Sequence, residues 1–156
     1  MVKNGSKPFY SGLVSSRDLN PQQAAIFISP SLLPYFNQCL EMGINGTFRS
    51  KPSHQHGIKQ VIVITIFIFG RAFVLATVLC SGKRETLYKS ILSHLKMKAA
   101  ALPDAAEFVP KKMHCDFERG IMNALAQEIS GTVLAPPVAP RCENCSRPCI
   151  FGEGGN

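Results

Sequence analysis

The spacing of apolar and polar positions divides this chain into short blocks. Residues 1–20 are polar, rich in Gly, Ser, Asn and Lys, and read as a loose arm. Ala24 to Ser29 reads as a short strand, and Ser31 to Leu40 as a short helix with Ser31 as its cap. Gly43 to Arg49 is a further strand candidate, and Ser50 to Gly57 a polar loop. The strongest apolar run, Val61 to Cys80, is rich in Val, Ile, Thr and Phe and is broken by Gly70-Arg71. Those residue types favour strands, so the run reads as two buried strands joined by a tight turn at Gly70. From Arg84 to Met97 the period changes: Leu87, Ile91 and Leu95 recur at every fourth position, flanked by Tyr88 and Leu92, as in an amphipathic helix. After a proline-bearing connector, Lys112 to Cys115 reads as a strand. Phe117 to Ile129 reads as a second helix, ended by Gly131. An antiparallel meander feeding a helix, a strand and a helix implies an α/β chain of the α+β type, a mixed sheet covered by helices.

The length of Val61–Cys80 also matches a bilayer span. An arginine at the centre of a spanning helix costs about 2.5–3.5 kcal/mol on insertion scales, which favours the hairpin. A small membrane protein anchored by residues 61–80 is therefore the weakest reading.

Composition narrows the class. At 156 residues, with 46% hydrophobic and 17% charged side chains, the chain has material for one core and is no candidate for wholesale disorder. The formal net charge of +7 suits a polyanionic partner, of which DNA is the first candidate, although the cations are scattered. Nothing points to a small-molecule substrate. The N-terminal residues have no apolar signal region, so the expected location is nuclear or cytoplasmic rather than secreted. The six cysteines then read as thiols rather than a disulfide framework, and the sequons at Asn4, Asn45 and Asn144 as chance. From Thr132 the composition shifts to a Pro-rich linker and a tail carrying Cys142, Cys145 and Cys149. The expected division is an arm over 1–20, a core over 21–131 and a disordered linker and tail over 132–156.

Candidate chemistry lies in two blocks. Asp116 ends a short strand and precedes a helix, so it reads either as a helix cap or as a carboxylate mounted to hold a divalent metal. Asn45-Gly46 between apolar residues reads, taken alone, as a hairpin turn. The tail cysteines offer three thiolates, one short of a closed zinc site, which His114 or Cys115 would complete only if the linker folded back. His114 itself reads as a packed side chain, and His54-Gln55-His56 as weak evidence for metal.

Taken together the blocks acquire a pattern. Asn45-Gly46-Thr47-Phe48 is followed by Pro52. Val74 to Leu79 is apolar, and Lys83-Arg84-Glu85-Thr86-Leu87-Tyr88 opens a helix. Asp116-Phe117-Glu118 is followed by Ala124. In order and spacing, over about residues 24–130, this resembles the catalytic core of Mutator-like element (MULE) transposases. The resemblance implies a ribonuclease H-like fold, a mixed sheet with flanking helices, here incomplete at the C-terminal end. It implies DNA transposition chemistry: metal-dependent cleavage and strand transfer by an acidic triad holding two Mg²⁺ or Mn²⁺ ions. Asp116 matches the second acidic position. Asn45 stands where the first aspartate belongs, and the third acid has no counterpart before the pattern ends near Gly131. An amide offers a metal only a neutral oxygen, and Mg²⁺ sheds its waters reluctantly. The expectation is a truncated, catalytically inactive core. The alternative is a domesticated DNA-binding or interaction module, self-associating through an exposed sheet edge.

Overall fold

The computed structural model describes residues 9–47, 57–102, 110–115, 118–129 and 133–135. They form a mixed α/β unit around one seven-stranded sheet. The strands are β1 (Tyr10–Ser15), β2 (Gln23–Ile28), β3 (Glu41–Thr47), β4 (Gln60–Ile68), β5 (Arg71–Cys80), β6 (Lys112–Cys115) and β7 (Val133–Ala135). Helix α1 (Glu85–Ala100) separates β5 from β6, and α2 (Arg119–Glu128) separates β6 from β7. Across the sheet the order is β1-β2-β5-β4-β3-β6-β7. Strands β3, β4 and β5 form the antiparallel meander, and β6 then pairs with β3 in parallel. β7 in turn lies parallel to β6. A parallel neighbour needs a crossover, and each helix supplies one.

Period-two alternation decides which side of the sheet is core. Ile62, Ile64 and Ile66 of β4, Ala76 and Val78 of β5, and Met42 and Ile44 of β3 are all buried. They face Leu87, Ile91 and Leu95 of α1 and Ile121 and Leu125 of α2, in a single apolar cluster. Ile44, Ile62 and Ile64 meet Tyr88, Ile91, Leu92 and Ile121 around one small cavity, so both helices lie on the same face. The other face, with Ala25, Phe27, Val63, Thr65, Phe67, Thr77 and Leu79, is only partly buried among the described residues.

Several sequence expectations change. The arm over 1–20 contains a strand: β1 pairs with β2 through Leu13–Ala25 and Ser15–Gln23. Its Gly and Ser content masked it, because an edge strand needs only one paired side. Residues 1–8 lie outside the described residues. The helix expected after Ser31 is a 3-10 helix over Leu33–Gln38 with Pro34 in its first turn. Its cap position is Leu32, and the Ser31 hydroxyl lies 3.1 Å from that of Ser29. The strand expected over Gly43 to Arg49 is β3, so the turn that Asn45-Gly46 suggests when taken alone is not made: both residues lie within the strand, opposite Val63 and Ile62. The segment after Thr132, read as linker, begins with β7, which joins the sheet.

Val61–Cys80 is the expected hairpin, and no described helix is long and apolar enough to cross a membrane. Its turn is Phe69-Gly70, with φ of 52° and 72°. Glycine tolerates that region, whereas a side chain there costs about 1–2 kcal/mol from crowding of Cβ against the carbonyl.

Candidate functional site

Strand β3 carries the first block. Its parallel pairing with β6 runs from Glu41–Lys112 to Ile44–Cys115. The strand leading to Asp116 therefore runs beside the strand carrying Asn45. Asp116 and Phe117 themselves lie outside the described residues, as do His54, His56, Cys142, Cys145 and Cys149. Asn45 is exposed, and alternation turns it away from the helices, onto the face shared by Gly43 and Glu41.

Gly46, next in the strand, points to the helix face. A Cβ there would lie 2.0 Å from Gln60 Nε2 and 3.7 Å from Glu118 Oε2. The absent side chain is what lets the Gln60 amide lie across β3. Gln60 is fully buried, and its Nε2 donates to Glu118 Oε2 at 3.2 Å. The Tyr88 hydroxyl, from the first turn of α1, lies 2.5 Å from Glu118 Oε1 and 2.8 Å from Gln60 Oε1. Its single proton is shared between two acceptors. Burial, reinforced by the Glu118 carboxylate, holds the Tyr88 phenol well above the ordinary tyrosine range. Cys80 lies in the same region, and burial, with a smaller contribution from Glu118, pushes its thiol up to about 12.

Glu118 occupies the cap position of α2, so the cap expected of Asp116 falls two residues later. Its carboxylate does not cap the helix. It turns to Tyr88 and Gln60, while its backbone carbonyl accepts from Ile121 and Met122. Glu85, from the same block as Tyr88, braces the helices: Lys89 lies 2.7 Å from its Oε1, and Asn123 and Gln127 donate to it at 3.0 and 3.2 Å. Lys89, then Asn123, hold that carboxyl below the usual range.

Sequence reasoning quoted Gly46, Tyr88 and Glu118 without giving them a role. Gln60 it missed altogether. A polar residue opening an apolar run was the available signal, since a buried amide requires partners. His114 is the packed side chain expected of it, 5.5 Å from the Phe67 ring by centroid and 3.4 Å from Glu41.

The described residues do not fit a two-metal site. Among them no group of three or more His, Cys, Asp or Glu side chains converges, and Asn45 brings only a neutral oxygen. A second polar constellation joins β1 to α1, where Ser11 Oγ lies 2.9 Å from His94 Nε2. Burial, then Lys98, lowers the His94 pKa. No carboxylate meets this imidazole among the described residues, and the pair serves to tie the bulge of the edge strand to the helix. Comparisons with protein-family models, curated proteins and solved structures find no match.

Proposed function

We propose that this chain is a ribonuclease H-like core of the Mutator-like transposase type whose first metal position has been replaced, leaving it without cleavage activity. One observation carries the reading. Gly46, Tyr88 and Glu118 come from three separate motif blocks, and they meet in one hydrogen-bonded cluster around Gln60. Their meeting at one point supports reading the three blocks as parts of one motif set. The adjacency of β3 and β6 gives further support, because a shared metal requires positions 45 and 116 to ride on neighbouring strands. The net charge of +7 favours a second reading beside it, retained DNA binding without chemistry.

The test is metal affinity followed by calorimetry or Mn²⁺ relaxation. The parent takes up Mn²⁺ weakly. Asn45→Asp restores an anionic ligand and raises the affinity at least about tenfold, or 1.4 kcal/mol. An unchanged affinity in a folded Asn45→Asp protein sinks the assignment of position 45. Binding to random duplex DNA, measured by anisotropy, should weaken steeply between about 50 and 200 mM salt if phosphates are the target.

A further inference from the structure

Strand β1 is held differently from the rest of the sheet. None of its six residues is fully buried, and of these Val14 alone leans on the apolar cluster. On the open face Phe9 and Tyr10 rest against the Phe27 ring, 6.1 and 5.5 Å away by centroid, yet both are about half exposed. The hydrogen bonds that join β1 to α1 differ at its two ends. The turn that follows β1 is docked on the start of α1. Arg84 donates from its backbone to Gln22 Oε1 and from its guanidinium to the Asn20 carbonyl, each at 3.0 Å, and Thr86 donates to Asp18 at 2.6 Å. The Gln22 amide fills the space that a side chain at Gly82 would take, since a Cβ there would lie 2.0 Å from Gln22 Cδ. At the other end one imidazole does the fastening. Ser11 Oγ lies 2.9 Å from His94 Nε2, and the ring packs over Gly12, where a Cβ would come within 3.3 Å of His94 Cε1.

We propose that β1 is a strap, hinged at the docked turn and fastened near Ser11 by His94, which acid releases while the rest of the sheet stays folded. Ser11 and Gly12 cover part of the ring, so lifting β1 returns the imidazole to water. A charge on the covered ring finds no compensation. Lys98, one turn further along α1, repels it. The adjoining groove of about 530 Å³ adds Arg17, Lys89 and Glu128, of which Glu128 is already paired with Lys96 and Lys89 with Glu85. Burial, then Lys98, holds the His94 pKa below its ordinary 6.5, so the lifted strap takes up the proton before the closed one does. Closure is therefore favoured above pH 6.5 and weakens as pH falls below it. The hinge does not follow in that window. The Thr86 and Ser16 hydroxyls, with Arg84, hold the Asp18 carboxyl below its ordinary 3.8, so it stays charged. Release bares the outer edge of β2 over Gln23–Ile28, and such an edge is a template for pairing with another strand. The strap is independent of any reading of position 45.

Hydrogen exchange on the full chain, read by mass spectrometry at about pH 7.5 and 5.5 and corrected for intrinsic rates, tests it. Protected amides of β1 should exchange at least about tenfold faster than those of β4 and β5 at both pH values. Acidification should raise the β1 rate a further roughly threefold or more and leave β4 and β5 unchanged. His94→Gln keeps a polar partner for Ser11 but does not titrate, so its β1 rate should be the same at both pH values. Ser11→Ala should loosen β1 at the higher pH while β4 and β5 keep their protection. Exchange of β1 in step with β4 and β5 would make the sheet one cooperative unit and overturn the proposal. So would a parent with no pH response, a response that persists in His94→Gln, or parental β1 exchange in Ser11→Ala.

Discussion

Replacing Tyr88 by Phe deletes one oxygen from the point where three elements meet, and the cost can be worked from the contacts. Tyr88 is 3% exposed and Gln60 fully buried, so water does not readily replace the lost hydroxyl. The Tyr88–Glu118 hydrogen bond is charge-assisted, and bonds of that kind contribute about 1.5–3 kcal/mol. For a chain of this size that is roughly a 3–12 °C fall in melting temperature. Gly46→Ala attacks the same point from the strand. Its Cβ would fall 2.0 Å from Gln60 Nε2 and 3.2 Å from Cδ, forcing the amide away from both Glu118 and Tyr88. Because both changes act through one Gln60 side chain, their effects should not add. We expect Gly46→Ala with Tyr88→Phe to destabilise by at least about 0.5–1 kcal/mol less than the sum of the single changes. Urea unfolding followed by circular dichroism, with m values compared across the four proteins, measures this directly. Additivity within about 0.3–0.5 kcal/mol would refute the shared role of Gln60.

Two further outcomes follow from groups whose pKa the fold displaces. Burial and Lys98 lower the His94 pKa from 6.5, so the unfolded chain binds the extra proton first. Stability conferred by His94 is then present above pH 6.5 and lost as pH falls through the window below it. His94→Gln should flatten that part of a melting-temperature profile between about pH 7 and 5, and an unchanged slope would show that other groups set it. The second concerns thiols. Burial pushes Cys39 up to about 11 and Cys80 to about 12, so neither offers thiolate at neutral pH. Peptide mapping after mild alkylation should find both unmodified until denaturant is added. Rapid labelling of either in the folded protein would contradict its burial.

Much of the fold was legible because β4, β5 and α1 have a clear period and a sharp break between them. The alternation of Ile62, Ile64 and Ile66 and the four-residue repeat of Leu87, Ile91 and Leu95 each mark one buried face. What escaped depended on partners far away in the chain. Tyr10–Ser15 has little apolar pattern of its own and becomes a strand only beside β2. Val133–Ala135 is too short to register alone and is held by Lys112–His114. Asn45-Gly46 has the local chemistry of a turn, yet seven pairings with β4, from Glu41–Phe67 to Thr47–Val61, override it. Local turn preference is a small term beside a paired strand whose Met42 and Ile44 are buried. The candidate site was half visible. The blocks stood out in the sequence, but the reason Gly46 must be glycine is Gln60, which no spacing rule indicates.

The two faces of β3 also decide which side chains could join position 45 in the proposed metal site. Asn45 and Gly46 are consecutive in a strand, so their side-chain directions are opposed. Glu118 lies over Gly46, on the helix face, with each carboxylate oxygen already hydrogen-bonded. Asn45 lies on the other side, with Gly43 and Glu41. Glu118 is therefore screened from position 45 by the sheet itself, and its closeness along the chain to Asp116 does not make it a substitute acid. Glu41 shares the right face but sits four residues back along the strand, about 13 Å at the usual rise, and is turned toward His114. Neither Glu118 nor Glu41 can thus serve a metal at position 45. Any charge that Asn45→Asp introduces must be matched from Asp116 or from residues beyond those described, which is why that substitution tests the proposed motif pairing itself.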